Sequence, residues 1–260
     1  MADKKIKVYV GIPTNGVVCD SQSFALRKIT AKYGDRVELV YPDKCVRRIF
    51  HDFARNSIVD EFLATDCDIL WFLDSDICPP DHVLDLITEH GDKWKVAGAP
   101  YPVFMTPGGE KDCAVLFCVY KEGEKGMSPK DIPYDGVEFV DGLATGCMFI
   151  RREVLEGMSK PYFEFKYNPE TRIMTEGEDL GFCMKVNKMG HKFLTDYSMV
   201  CKHYKTVCLL EVNNYTIAYA NRSVQRYDAL IRDQVTALAQ QVAKPKPAAP
   251  VSKLILPGQF

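Results

Sequence analysis

Cys67-Asp68-Ile69-Leu70-Trp71-Phe72-Leu73-Asp74-Ser75-Asp76 is the stretch that decides the fold. It is apolar from Ile69 to Leu73 and ends on two carboxylates one residue apart. A short unbroken apolar run fits a central strand of a parallel sheet, buried on both faces. In open α/β sheets, ligands bind beyond the carboxyl ends of the strands. Asp74 and Asp76 stand at such an end, and on an extended backbone their side chains share one face. Two hard anionic oxygens so placed can hold Mg²⁺ or Mn²⁺, and phosphates through it. Asp and Ser are also ordinary turn residues. The triplet gains meaning from the buried strand before it.

Upstream, Ile6, Val8, Val10 and Ile12 alternate over Lys5 to Ile12 and predict a first strand, closed by Pro13-Thr14-Asn15-Gly16. Asp20 or Ser21 can cap a helix that runs to Tyr33 and stops at Gly34. Arg36 to Tyr41 reads as a second strand. Val46 to Ala64 reads as a helix with Phe50, Ala54, Ile58 and Phe62 on one stripe and Phe53 beside it. Downstream, Pro79-Pro80 opens a helix over Asp81 to His90, and Lys95 to Ala99 is a fourth strand. The order βαβαβαβ predicts a parallel sheet with right-handed crossovers.

The pattern then changes. Cys113 to Tyr120 and Val137 to Val140 are two strands joined by the loop Glu122 to Pro133, an expected antiparallel addition. Gly142 to Gly146 is a small-residue passage, suited equally to a bare turn and to close backbone approach by a ligand. Cys147 to Ile150 is a strand and Arg152 to Met158 a short helix. Pro161 to Glu176 is irregular and aromatic. It leads into Glu178-Asp179, which opens a helix to Met189 stopped by Gly190. Lys192 to Cys201 is the last strand, followed by His203-Tyr204-Lys205. These pieces divide the chain into a domain over 1–209, a helix over 210–243 and a Pro-rich linker and tail over 244–260. The helix carries an apolar stripe from Ile217 to Val242 that can pack on its own domain or join copies in a homo-oligomer.

The bulk properties exclude little. The 260 residues are 47% hydrophobic and 26% charged, ordinary for a globular protein, and a net charge of -2 gives no global basic field for nucleic acid. No stretch is long and apolar enough for a membrane span, and the first residues lack a signal-peptide apolar region. Ten Cys without a Cys-x-x-Cys pair or zinc spacing read as reduced, mostly buried thiols, and predict a cytoplasmic protein.

Four features in order then carry a resemblance. They are Gly11-Ile12-Pro13-Thr14, Phe53-Ala54-Arg55-Asn56, Phe72-Leu73-Asp74-Ser75-Asp76, and Glu178-Asp179 with His203 after the last strand. Over roughly Lys5 to Lys205 the chain resembles the GT-A fold glycosyltransferases, in particular inverting family 2-like enzymes. The resemblance implies a Rossmann-like, mixed and mostly parallel sheet flanked by helices. It implies transfer of a sugar from a UDP- or GDP-linked donor to an acceptor hydroxyl, with Mn²⁺ or Mg²⁺ as cofactor. The acceptor (saccharide, protein, small molecule or modified DNA) is left open.

On that resemblance Asp76 binds the metal directly, and Asp74 binds it through water or binds the ribose. His203 supplies another ligand, with a backbone-bonded structural histidine as the equal alternative. Pro13 and Thr14 line the base, Ser75 lies with the donor, Arg55 pairs with the diphosphate and Asn56 with base or ribose, and Lys205 clamps phosphate. Plain helix-surface roles for Arg55 and Asn56 stay open. Asp179 is the general base, with Glu178 beside it, after the aromatic segment Pro161 to Glu176 suited to holding a sugar; the rival role is helix capping. His51, His82, His90 and His191 read as structural or solvated. A nucleotidyltransferase and a non-catalytic nucleotide-sugar binding domain remain rival functions. No Gly-rich basic loop follows strand one to favour the first, and the full acidic set argues against the second.

Overall fold

The structure, a computed structural model, describes residues 4–14, 18–43, 50–105, 114–124, 126–130, 132 and 135–205. The expected helix over 210–243, the tail from 244, Cys113, Asn15-Gly16 and the helix start at Val46 lie outside the described residues.

The core is one mixed α/β sheet of seven strands. Its order is Val137–Val140, Phe193–Asp196, Val96–Gly98, Cys147–Arg151, Ile69–Leu73, Ile6–Gly11, Val37–Val40. Ile69–Leu73 is central and every residue in it is buried. It pairs in parallel with Ile6–Gly11, which pairs in parallel with Val37–Val40. The all-parallel neighbourhood expected for the fourth strand is corrected. Cys147–Arg151 inserts between Ile69–Leu73 and Val96–Gly98 and runs antiparallel to both. Phe193–Asp196 returns parallel to Val96–Gly98, and Val137–Val140 closes that edge antiparallel.

Alternation along the strands supplies two apolar layers. Val8, Val10, Ile69, Trp71, Leu73, Ala97 and Phe149 face the helices Asp20–Tyr33 and Asp85–Thr88. Tyr9, Leu70, Phe72, Met148 and Ile150 face His51–Leu63, Arg152–Glu156 and Glu178–Lys188. Trp71 stacks on Phe149 at 5.0 Å in the first layer, and Phe163 meets Phe72 and Phe182 in the second. Burying rings of this size contributes about 1.5–3 kcal/mol each.

Several local expectations are revised. Phe50 and Phe53 are 69% and 57% exposed, so the buried face of their helix is Ala54, Ile58, Val59 and Phe62. Between Pro80 and Ile87 the bonds Val83 N–H to Pro80 O, Asp85 to His82 and Ile87 to Leu84 span three residues. The helix expected over 81–90 is therefore confined to Asp85–Thr88. No side chain caps Asp20–Tyr33; Cys19 holds the N-cap position, and its N–H donates to Ser75 O. The runs 114–120 and 137–140 do not pair with each other. Ala114–Phe117 pairs with Pro102–Met105, and Val119–Gly123 with Gly126–Pro129 and Gly142–Leu143. Tyr162 and Phe163 are core residues rather than sugar-binding surface, and a small hairpin, Lys166–Tyr167 with Met174–Glu176, follows them. Gly190, at φ 82°, ends the helix in the left-handed region, as its position suggests. Cys67, Cys118, Cys147, Cys183 and Cys201 are buried free thiols. Among the described residues no helix is long and apolar enough to cross a membrane.

Candidate functional site

A cavity of about 650 Å³ opens at the carboxyl ends of the parallel strands Ile6–Gly11, Ile69–Leu73 and Val96–Gly98. Pro13 and Thr14 reach it from the first strand, Asp74, Ser75 and Asp76 from the second, Tyr101 and Val103 from the third. The first turn of His51–Leu63 supplies His51, Ala54 and Arg55, and that of Glu178–Lys188 supplies Glu178 and Asp179. His203 and Lys205 complete the wall. Two helix N-termini thus face one space, and their partial positive charge favours an anion there.

Each residue of the acidic loop is held through its backbone. Asp74 N–H donates to Gly146 O at 2.9 Å, Cys19 N–H to Ser75 O at 2.9 Å, and Tyr204 N–H to Asp76 O at 2.9 Å. The buried Gln22 side chain donates to Asp74 O and Ile77 O, both at 2.7 Å. Ile77–Cys78 pairs antiparallel with Lys202–His203, which sets His203 beside Asp76. Gln22 has no sequence signal beyond its place on an amphipathic helix. Gly146 is required by proximity: a Cβ there would stand 2.7 Å from the Tyr101 ring, whose hydroxyl accepts from Gly146 N–H. A Cβ on Gly142 would meet Cys183 at 3.3 Å. At both glycines the close approach is to the protein's own side chains.

Arg55 is 4% exposed and works within the protein. Its Nη1 and Nη2 donate to the two oxygens of Asp74 at 2.9 and 3.2 Å, and Nε to Glu178 Oε1 at 3.4 Å. Burial opposes its charge, yet Asp74, by charge and hydrogen bond, and Glu178 outweigh it and raise its pKa. Asn56 is not brought to the cavity. Its amide donates to Asp52 O at 2.8 Å and Phe163 O at 2.7 Å and accepts from Tyr162 and Phe163 N–H at 2.8 and 3.2 Å. Asn56→Ala should therefore cost about 1–3 kcal/mol of stability through unpaired backbone groups, measured by urea unfolding. Nucleotide affinity should stay unchanged.

Asp76 faces the Lys205 ammonium and the His203 ring. Lys205 Nζ lies 2.5 Å and His203 Nε2 3.4 Å from its Oδ2. Burial alone would raise its pKa, but hydrogen bonds from His203 and Lys205 and their charge bring it down to about 2. His203 Nδ1 lies 2.7 Å from Pro102 O. A carbonyl only accepts, so Nδ1 carries a proton toward Pro102 O, and Nε2 is the nitrogen turned to Asp76. A carboxylate beside an imidazole whose other nitrogen is bonded to a carbonyl suits a divalent metal. Among the described residues no three His, Cys, Asp or Glu side chains converge as a metal site. The donor set fits an ion such as Mg²⁺ or Mn²⁺ that takes its other ligands from phosphate and water. Both oxygens of Asp74 face Arg55.

The three acids around the start of Glu178–Lys188 separate. Glu176 pairs with Lys166 at 2.6 Å and Glu178 with Arg55. Asp179 is half-buried at the cavity, with no cationic partner within 4.0 Å among the described residues. Its Oδ1 accepts from Leu180 N–H at 2.8 Å, and no side chain caps the helix. Burial and the charge of Glu178 raise its pKa against the opposing pull of Arg55. His51, expected to be structural or solvated, is solvated, its side chain 69% exposed, and it also lines the cavity with Nδ1 4.0 Å from Glu178 Oε1. Tyr101 packs edge-on against His203 at 5.2 Å. Sequence reasoning missed Tyr101; an aromatic after a short strand carries no signal of its own.

No family model matches the chain, and no curated protein does. Among solved structures, A197 from STIV aligns with a TM-score of 0.48 at 22% identity, covering 77% of this chain and 86% of that one. GalNAc-T7, crystallised with UDP, GalNAc and Mn²⁺, aligns with a TM-score of 0.43 at 12% identity, covering 79% of this chain and 45% of its own. Neither likeness reaches a TM-score of 0.5.

Proposed function

We propose that the chain is a metal-dependent glycosyltransferase of the GT-A type, moving a sugar from a UDP- or GDP-linked donor to an acceptor hydroxyl with inversion. One observation carries this reading: a single cavity holds the Asp76–His203 pair and, separately, the carboxylate of Asp179, which has no cationic partner among the described residues. Asp76 and His203 would hold Mn²⁺ or Mg²⁺. When bound, that ion supplies charge neutralisation to the departing nucleoside diphosphate.

The remaining chemistry belongs to the chain's own residues. Asp179 Oδ takes the proton of the acceptor hydroxyl as that oxygen attacks the anomeric carbon and the bond to the diphosphate breaks. Partial desolvation makes this carboxylate a stronger base than a free one. Arg55 fixes Asp74 and Glu178 and so sets the two sides of the cavity against each other. Pro13, Thr14 and Ser75 line the cavity and would contact the nucleoside.

Asp76→Ala should abolish metal-dependent binding of UDP or GDP while leaving the fold intact, because Asp76 lies outside the apolar core. Calorimetric titration of both nucleotides, with and without Mn²⁺, tests this. Equal nucleotide affinity in the variant and the wild type would sink the assigned metal position.

A further inference from the structure

We propose that Lys205 is the resident counter-ion of Asp76, holding the cation position until a divalent ion arrives together with a diphosphate. The inference rests on the metal-dependent reading above. Lys205 Nζ and His203 Nε2 converge on the same oxygen, Asp76 Oδ2, at 2.5 and 3.4 Å. The ammonium therefore stands at the same carboxylate oxygen that faces His203, within the donor set that would hold a metal ion. The other carboxylate of the triplet is bound differently. Asp74 is gripped at both oxygens by Arg55, whose side chain is 5% exposed, whereas that of Lys205 is 58% exposed.

The backbone beside Lys205 is anchored, since Tyr204 N–H donates to Asp76 O at 2.9 Å. The side chain beyond it is a compact point charge on a flexible stem. A metal ion arriving alone must displace this ammonium and leave two cations side by side with one carboxylate between them. Arriving with a diphosphate, it brings anionic oxygens for both. Lys205 thus discourages metal occupancy of the donor-free protein and couples metal entry to donor entry.

The test is calorimetric titration of the full chain with Mn²⁺ alone. Lys205→Met should bind Mn²⁺ about fivefold more tightly than wild type, the scale of an exposed ion pair removed. Lys205→Arg keeps the charge and should stay within about twofold of wild type. The gain should vanish in the double variant Lys205→Met, Asp76→Asn. A Lys205→Met variant no tighter than wild type, or a gain that survives loss of Asp76, overturns the proposal. Titration of UDP and GDP into wild type, with and without Mn²⁺, separates this failure from that of the parent reading. Metal-dependent nucleotide binding with no gain in Lys205→Met removes only the counter-ion role; metal-independent nucleotide binding removes both.

Discussion

Asp179→Asn should lower single-turnover sugar transfer by about 10²–10⁴-fold, the usual contribution of a positioned general base. The amide keeps the size of the carboxylate and can still accept from Leu180 N–H, but it cannot take up the acceptor's proton. Donor affinity should barely change, since Asp179 stands on the first turn of Glu178–Lys188, whereas Asp76 follows the strand Ile69–Leu73 and His203 lies on the strand Lys202–His203. A helix-capping role predicts the opposite outcome, because Asn caps about as well as Asp. At saturating donor, a loss of less than about fivefold, far below the expected base contribution, would exclude Asp179 as the base. Glu178 would not replace it easily, because Arg55 already engages it.

Arg55→Met should destabilise the fold by about 3–5 kcal/mol, the usual cost of leaving a buried ion pair without one partner. The Met side chain restores much of the stem that lies by Phe72, 5.6 Å from the guanidinium carbon. It cannot answer the carboxylates of Asp74 and Glu178, whose side chains are 25% and 9% exposed. Denaturant unfolding of the two proteins measures the difference. A loss below about 1 kcal/mol, the level of a surface pair, would mean that water, not Arg55, stabilises the two acids. Activity should fall as well, because the Asp74 loop and the Glu178 helix start share this single cation.

Much of the site was legible because its residues stand at element ends. Ile69 to Leu73 is uniformly apolar because both faces of that strand are covered, and this located Asp74 and Asp76 at its end. The helix opening at Glu178 was announced by its acids and closed by Gly190. What stayed hidden was pairing. An apolar strand pattern carries no direction, so Cys147–Arg151 gave no sign that it runs antiparallel between Ile69–Leu73 and Val96–Gly98. Nor did the pattern show that Arg55 and Asn56, neighbours on one helix, go to different tasks. Arg55 binds two acids, and Asn56 binds the backbone at Tyr162 and Phe163. Aromatic content misled at two places for one reason, since ring count does not reveal exposure. Phe50 and Phe53 are at the surface, whereas Tyr162 and Phe163 are core.

The most direct test of sugar transfer is product analysis after incubation with a panel of UDP- and GDP-linked sugars and Mn²⁺. Metal-dependent sugar transfer requires release of free nucleoside diphosphate from at least one donor, dependent on the metal and lost in Asp76→Ala. Release of pyrophosphate instead, or metal-independent nucleoside diphosphate release that survives Asp76→Ala, would contradict it.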